Sequence, residues 1–207
     1  MGINLPNQIT IGRLLLAGVF FTLLTWYDHA QPNTGLLDAC LVIFIIAALS
    51  DILDGYLARR QDQVTSLGRV LDPFVDKVLV CGAFVLFAGP AFADPVTGQP
   101  ATAVAPWMVV LIIGRELLVS SLRGFTESQG QPYAASPSGK AKMVVQSITV
   151  PVLLGMVAHP QWFGEPTTGW IKLGFIWLTV VVTVASMSSY LLRSKHILQE
   201  AKRVGRP

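Results

Sequence analysis

Residues 51–77 read DILDGYLARRQDQVTSLGRVLDPFVDK, and how this stretch is read decides the fold. Asp51 and Asp54 are three apart and Asp72 and Asp76 four apart, so on helices each pair shares one face. Gly68 leads the second pair by another four-residue step. Between Arg59 and Gly68, the polar residues Arg60, Gln61, Asp62, Gln63, Thr65 and Ser66 suit a turn at the water. Two helices meeting there can aim four carboxylates at one point. In a membrane each bare aspartate costs about 3 kcal/mol, or roughly 12 for the four. Something must compensate, and a divalent cation in a water-accessible cavity is the simplest candidate.

The flanking chain is membrane-like. Of 207 residues, 52% are hydrophobic and 13% charged, with mean hydropathy +0.57; such a chain belongs with multi-span membrane proteins. No cleavable signal peptide is expected, because the first apolar run lacks a basic leader and continues too long. Six apolar segments of spanning length run from Ile9 to Tyr27, Leu36 to Leu57, Leu67 to Gly89, Ala103 to Leu122, Ala141 to His159 and Gly169 to Leu192. Breakers separate them, among them Pro32-Asn33-Thr34-Gly35 and Ser136-Pro137-Ser138-Gly139. No linker or repeat divides the chain, so residues 1–207 read as a single all-α domain, an integral membrane bundle of six transmembrane helices.

Lysine and arginine placement sets the expected orientation. The loops after the first, third and fifth segments hold Asp28, Asp94 and Glu165 but no Lys or Arg, and only Lys172 falls clearly on that side. The N-terminal side, the second and fourth loops and the tail carry most of the positive charge. Both termini and the 51–77 turn are therefore expected in the cytoplasm. The opening MGINLPNQITIGR can form a short interfacial helix leading into the first span, or fray. Cys40 and Cys81 lie in apolar runs and read as buried thiols. The three histidines read as surface imidazoles, and the tryptophans as an outer aromatic belt.

Asp51-x-x-Asp54-Gly55-x-x-Ala58-Arg59, eight residues, then Gly68-x-x-x-Asp72-x-x-x-Asp76 resembles the complete signature of the CDP-alcohol phosphotransferase family. The resemblance implies a six-helix membrane enzyme that moves a phosphatidyl or similar group from a CDP-linked donor to an alcohol, releasing CMP. It also implies that Asp51, Asp54, Asp72 and Asp76 bind one or two metal ions, that Gly55, Ala58 and Gly68 admit the CDP moiety, and that Asp76 is the general base. The chemistry of the residues agrees. Carboxylates without His or Cys select hard cations, Mg²⁺ or Mn²⁺, and a pyrophosphate donor needs its charge neutralised before attack at phosphorus. Small residues let a ligand approach the helix backbone. The bland alternative is a set of aspartates neutralised by Arg59, Arg69 and Lys77.

A second group points to the acceptor. Arg115-Glu116 sits inside the fourth apolar segment with Arg123 two turns on, and Lys140 and Lys142 follow Pro137 at the start of the fifth. An intramembrane arginine is by default functional, although Arg115 can equally serve as a helix-packing ion pair. Together Arg115, Arg123, Lys140 and Lys142 suggest an acceptor that carries a phosphate. LPNQITIGR, GRELLVSSLR and GKAKMVVQ are similar to the branch of the family that makes phosphatidylglycerophosphate from CDP-diacylglycerol and glycerol 3-phosphate. That likeness brings Asn7, Thr10 and Arg59 to the donor and Arg13 and Arg69 to the acceptor phosphate, and it implies a homodimer. One departure is Met143, where the family commonly has threonine. Inositol phosphate and phosphatidylglycerol remain alternative acceptors, and a transporter is the reading from another class. No nucleic-acid partner is expected.

Overall fold

The computed structural model describes the backbone over residues 5–61, 66–128 and 137–204, and side chains over 8–51, 74–128 and 137–192. Six long helices fill it: α1 (Leu5–Trp26), α2 (Thr34–Gln61), α3 (Ser66–Phe87), α4 (Pro106–Ser128), α5 (Pro137–Ala158) and α6 (Thr167–Val204). Two short 3₁₀ turns, Pro90–Phe92 and Pro160–Trp162, lie in the α3–α4 and α5–α6 connections. Among the described residues the only β pairing is an isolated bridge between Ala93 and Pro100. The helix starts follow local chemistry. Proline opens α4 and α5, where its missing N–H costs nothing, and Asn33 caps α2 by accepting the Leu36 amide at 3.1 Å.

Among the described residues, four helices are long and apolar enough to cross a membrane, over Gln8–Trp26, Thr34–Asp51, Pro137–Ala158 and Thr167–Leu192. Of the six expected spans, the third and fourth are not among them. Arg115, Glu116 and Arg123 interrupt the apolar character of α4, and the first half of α3 lies outside the described side chains. From residue 5 onward, the short helix expected to lead into the first span is continuous with it. α1 begins at Leu5 and runs unbroken to Trp26, because Pro6 falls in the first turn, where a helix accepts it. At 38 residues, α6 is about 57 Å long, so it overruns a bilayer core of about 30 Å and carries the basic tail as helix.

Packing closes the helices into a ring in the order α1, α2, α5, α6, α4, α3, with α3 also touching α5 across the middle. The stripes that meet inside are visible in the burial. On α1 they are Thr10, Arg13, Ala17, Phe20 and Leu24; on α2, Leu37, Cys40, Phe44 and Ala47. These repeat at the three- and four-residue steps of one helix face. Phe20 and Phe44 meet at 5.7 Å between ring centres. Lipid supplies little hydrophobic drive between helices, so close packing and interhelical hydrogen bonds hold such a bundle. One of those bonds is Thr149 to Thr179 across α5 and α6, at 2.9 Å.

The two ends of the ring differ. At the end holding the α1–α2, α3–α4 and α5–α6 connections, Trp26, Trp107, Trp162, Trp170 and Trp177 all face outward. The histidines there are engaged rather than bare. His159 lies 2.8 Å from Asp38 and stacks on Trp162, tying the start of α2 to the α5–α6 connection. Tyr27 lies against Phe92, and burial, aided by the Asp28 charge, pushes its phenol up to about 12. Its hydroxyl shares a hydrogen bond with Nδ1 of His29 at 3.0 Å. His196 lies outside the described side chains. Cys40 is buried and Cys81 half-buried, both as free thiols. The opposite end holds Arg13, Asp51, Asp76 and Lys142.

Candidate active site

The inward stripes of α1 and α2 end in charge. One step beyond Ala47 the α2 face reaches Asp51, and the α1 face carries Arg13 below Ala17. Because the two helices run antiparallel in contact, these residues meet: Arg13 Nη1 lies 2.5 Å from Asp51 Oδ1. The guanidinium side chain is 1% exposed and the carboxylate 24%, so the pair sits where the packed interior opens to one side. Thr10, buried one turn before Arg13, shares its face.

α3 brings Asp76 to the same place, half-buried. The charges acting on it are those of Asp51 and Glu116 on one side and Lys142 and Arg13 on the other. Four helices besides its own thus converge on one carboxylate, which has no hydrogen-bond partner among the described residues. Among the described residues, its neighbour Lys77 has no carboxylate within ion-pair distance. Lys77 donates instead to Ser120 of α4. The side chains of Asn7, Asp54, Gly55, Ala58, Arg59, Gly68, Arg69 and Asp72 lie outside the described residues.

The basic group expected to meet the acceptor divides in two. Arg115 is buried and turned toward α6. Its Nε donates to Ser186 Oγ at 2.9 Å, its Nη1 to Glu116 Oε1 at 2.8 Å, and its guanidinium lies 5.3 Å from the centre of the Tyr190 ring. That is the helix-packing role weighed from the sequence. Lys142 is also buried, its ammonium rests 2.5 Å from the same Glu116 oxygen, and its charge acts on Asp76. Lys140 is exposed at the start of α5, and Arg123 is half-buried with an Nε that has no partner among the described residues.

Sequence reasoning passed over Glu116 as a site residue. The signal was its place beside an arginine inside an apolar segment. It also passed over Gln146, one turn beyond Lys142 and 1% exposed, whose amide nitrogen has no partner among the described residues. Hard oxygen donors without thiol or imidazole, on facing helices with a carboxylate left unpaired, fit a Mg²⁺-like ion and not zinc. Among the described residues, Asp51 and Asp76 are the members of that donor set; no cluster of three or more such ligands occurs there.

A family model described as CDP-alcohol phosphatidyltransferase matches residues 3–185. The chain is 34% identical over 205 residues to a Bacillus subtilis (strain 168) protein named CDP-diacylglycerol--glycerol-3-phosphate 3-phosphatidyltransferase, covering 95% of this chain and 97% of that one. Proteins of the same name from Sodalis glossinidius (strain morsitans) and Pseudomonas fluorescens are 31% and 34% identical. Those matches cover 97% and 91% of this chain, and 100% and 88% of theirs.

Proposed function

The chain belongs to the CDP-alcohol phosphatidyltransferase family, and from that premise we propose that it transfers the phosphatidyl group of CDP-diacylglycerol to glycerol 3-phosphate, giving phosphatidylglycerophosphate and CMP. The observation that carries this reading is the setting of Asp76, a carboxylate without a hydrogen-bond partner among the described residues, on which the charges of the Arg13–Asp51 pair and of Lys142 act. Asp76 accepts the proton of the acceptor hydroxyl as that oxygen bonds to the donor phosphorus next to the diacylglycerol and the bond to CMP breaks. Lys142, with Lys140 and Arg123, takes the acceptor's phosphate. Arg13 holds the Asp51 carboxylate in place, and Arg115 anchors α4 to α6.

Asp51, Asp54, Asp72 and Asp76 would hold one or two Mg²⁺ or Mn²⁺ ions, which when bound neutralise the diphosphate. The reading also places α3 and α4 in the bilayer, as the third and fourth of six spans. Both termini and the charged end of the bundle face the cytoplasm, consistent with the tryptophans at the other end. The lipid donor then enters sideways from the membrane and the acceptor from the water. Assembly as a homodimer belongs to the same reading.

The test is CMP release by purified protein in mixed micelles of detergent and CDP-diacylglycerol, with Mg²⁺. Glycerol 3-phosphate is expected to support turnover, and inositol phosphate and phosphatidylglycerol not. Turnover with one of those two alone would overturn the acceptor, and turnover undiminished by a chelator would overturn the metal.

A further inference from the structure

We propose that Glu116 is a positioning residue: by bridging Lys142 to Arg115 it fixes the Lys142 ammonium beside Asp76, where the acceptor's phosphate is received. The inference deepens the proposed function and rests on it for the identity of that acceptor.

Consecutive helix residues project about 100° apart, so Arg115 and Glu116 divide their attention between neighbours. Arg115 reaches α6, where Ser186 and the Tyr190 ring hold it, and Ser186 is itself tied to the Thr183 carbonyl at 3.0 Å. Glu116 reaches α5, and a single oxygen, Oε1, receives both cations. Glu116 is 6% exposed and Lys142 7%. A carboxylate so placed is neutralised from both sides, and its position is set by the anchored guanidinium rather than by solvent. Lysine is a point charge on a flexible four-carbon stem. Held by Glu116, Lys142 spends one of its three N–H donors and keeps the others for an incoming anion. Without that hold, the stem must be ordered anew each time acceptor binds, a cost that falls on acceptor affinity. The lipid donor makes no use of it.

The experiment measures CMP release by wild type, E116Q, K142A and the double variant, varying each substrate with the other saturating. E116Q keeps an oxygen acceptor but loses the charge-assisted bond. It is expected to raise KM for glycerol 3-phosphate about tenfold and to leave KM for CDP-diacylglycerol within about twofold. Because Glu116 acts through Lys142, E116Q added to K142A is expected to change the acceptor KM by less than about twofold further. E116D, which keeps the charge on a shorter arm, falls between wild type and E116Q and serves should E116Q fail to fold. An acceptor KM unchanged or lowered in E116Q overturns the proposal, as does full additivity in the double variant. A loss of thermal stability with both KM values unchanged also overturns it, since that is the mark of a merely structural ion pair.

A wild-type enzyme that prefers another acceptor refutes the acceptor assignment alone, and the same KM comparison then applies to that acceptor. Labelling of Lys142 by a small amine-reactive reagent, read by peptide mass spectrometry, needs no turnover. It is expected to run several-fold faster in E116Q, and equal rates would sink the proposal even in a protein without activity.

Discussion

Replacing Arg13 by glutamine tests the joint between α1 and α2 on which the site is hung. The guanidinium side chain is 1% exposed and faces a carboxylate that is 24% exposed. Breaking a fully buried ion pair from one side costs about 3–5 kcal/mol. Here water reaches Asp51 in part, so the expected cost is toward the lower end and below it, about 2–3 kcal/mol. At roughly 2–4 °C per kcal/mol for a chain of this size, the melting midpoint in detergent should fall by about 5–10 °C. The charge left behind is Asp51 beside Asp76, so Mg²⁺ should recover more stability in R13Q than in wild type. Neutralising that charge in R13Q/D51N should likewise recover most of the lost midpoint while leaving the protein inactive. Thermal melts of the three proteins, with chelator and with Mg²⁺, decide it. A fall of less than about 2 °C in R13Q, together with a Mg²⁺ response equal to that of wild type, would refute the claim that Arg13 holds the carboxylate.

Asp76→Asn should lower turnover by a factor of about 10²–10⁴ with CDP-diacylglycerol binding retained, as measured by equilibrium binding of labelled donor; a near-normal rate would remove Asp76 from the role of base. At the opposite end, the amides of Thr97 and Val96 and the Thr97 hydroxyl all donate to Asp94 and hold its carboxyl below the usual carboxylate range. A lowered folded-state value means stabilisation that is complete above the unfolded value of about 3.9 and lost as pH falls through the folded one. The midpoint difference between wild type and D94N should therefore shrink on acidification below that value and stay constant from neutral pH down to it. A difference that grew with acid would contradict the assignment.

How much of this was legible in the sequence depends on whether the information is local. The spacing of Asp51, Asp54, Asp72 and Asp76 is a property of two short helical stretches, so their shared faces follow from helix geometry alone. Proline at the start of α5 and the Asn33 cap are local in the same way. Arg115 was not legible, because its partners Ser186 and Tyr190 stand on α6, more than 70 residues away. Sequence shows that an arginine inside an apolar helix needs partners, not which helix supplies them. Arg13 shows the same limit. Its charge is plain, but Asp51 becomes its partner only when α1 and α2 pack antiparallel at the observed register. The start of α1 is legible only in part, for another reason. Polar residues near the N-terminus lower hydropathy without breaking a helix, and Pro6 in the first turn reads as a boundary only if the helix is assumed to begin later.

The balance of charge explains why the proposed reaction asks for a cation beyond the protein's own. Arg13, Arg115 and Lys142 stand against Asp51, Asp76 and Glu116, three against three. Arg13 is committed to Asp51 and Arg115 to Glu116, with Lys142 shared between Glu116 and the field of Asp76. Such a set is nearly neutral before substrate arrives. An acceptor phosphate brings a charge of about −1.5 to −2, and the donor's diphosphate adds more, into a region where charge is poorly screened. Lys140 and Arg123 are the described basic residues still to be committed at this end, and they suit the acceptor. The diphosphate then has to be met by something hard and positive near Asp76 and Asp51. On the proposed reading a divalent ion meets that need, and neutralising Asp51 should then abolish metal-dependent donor binding while leaving acceptor binding through Lys142 intact.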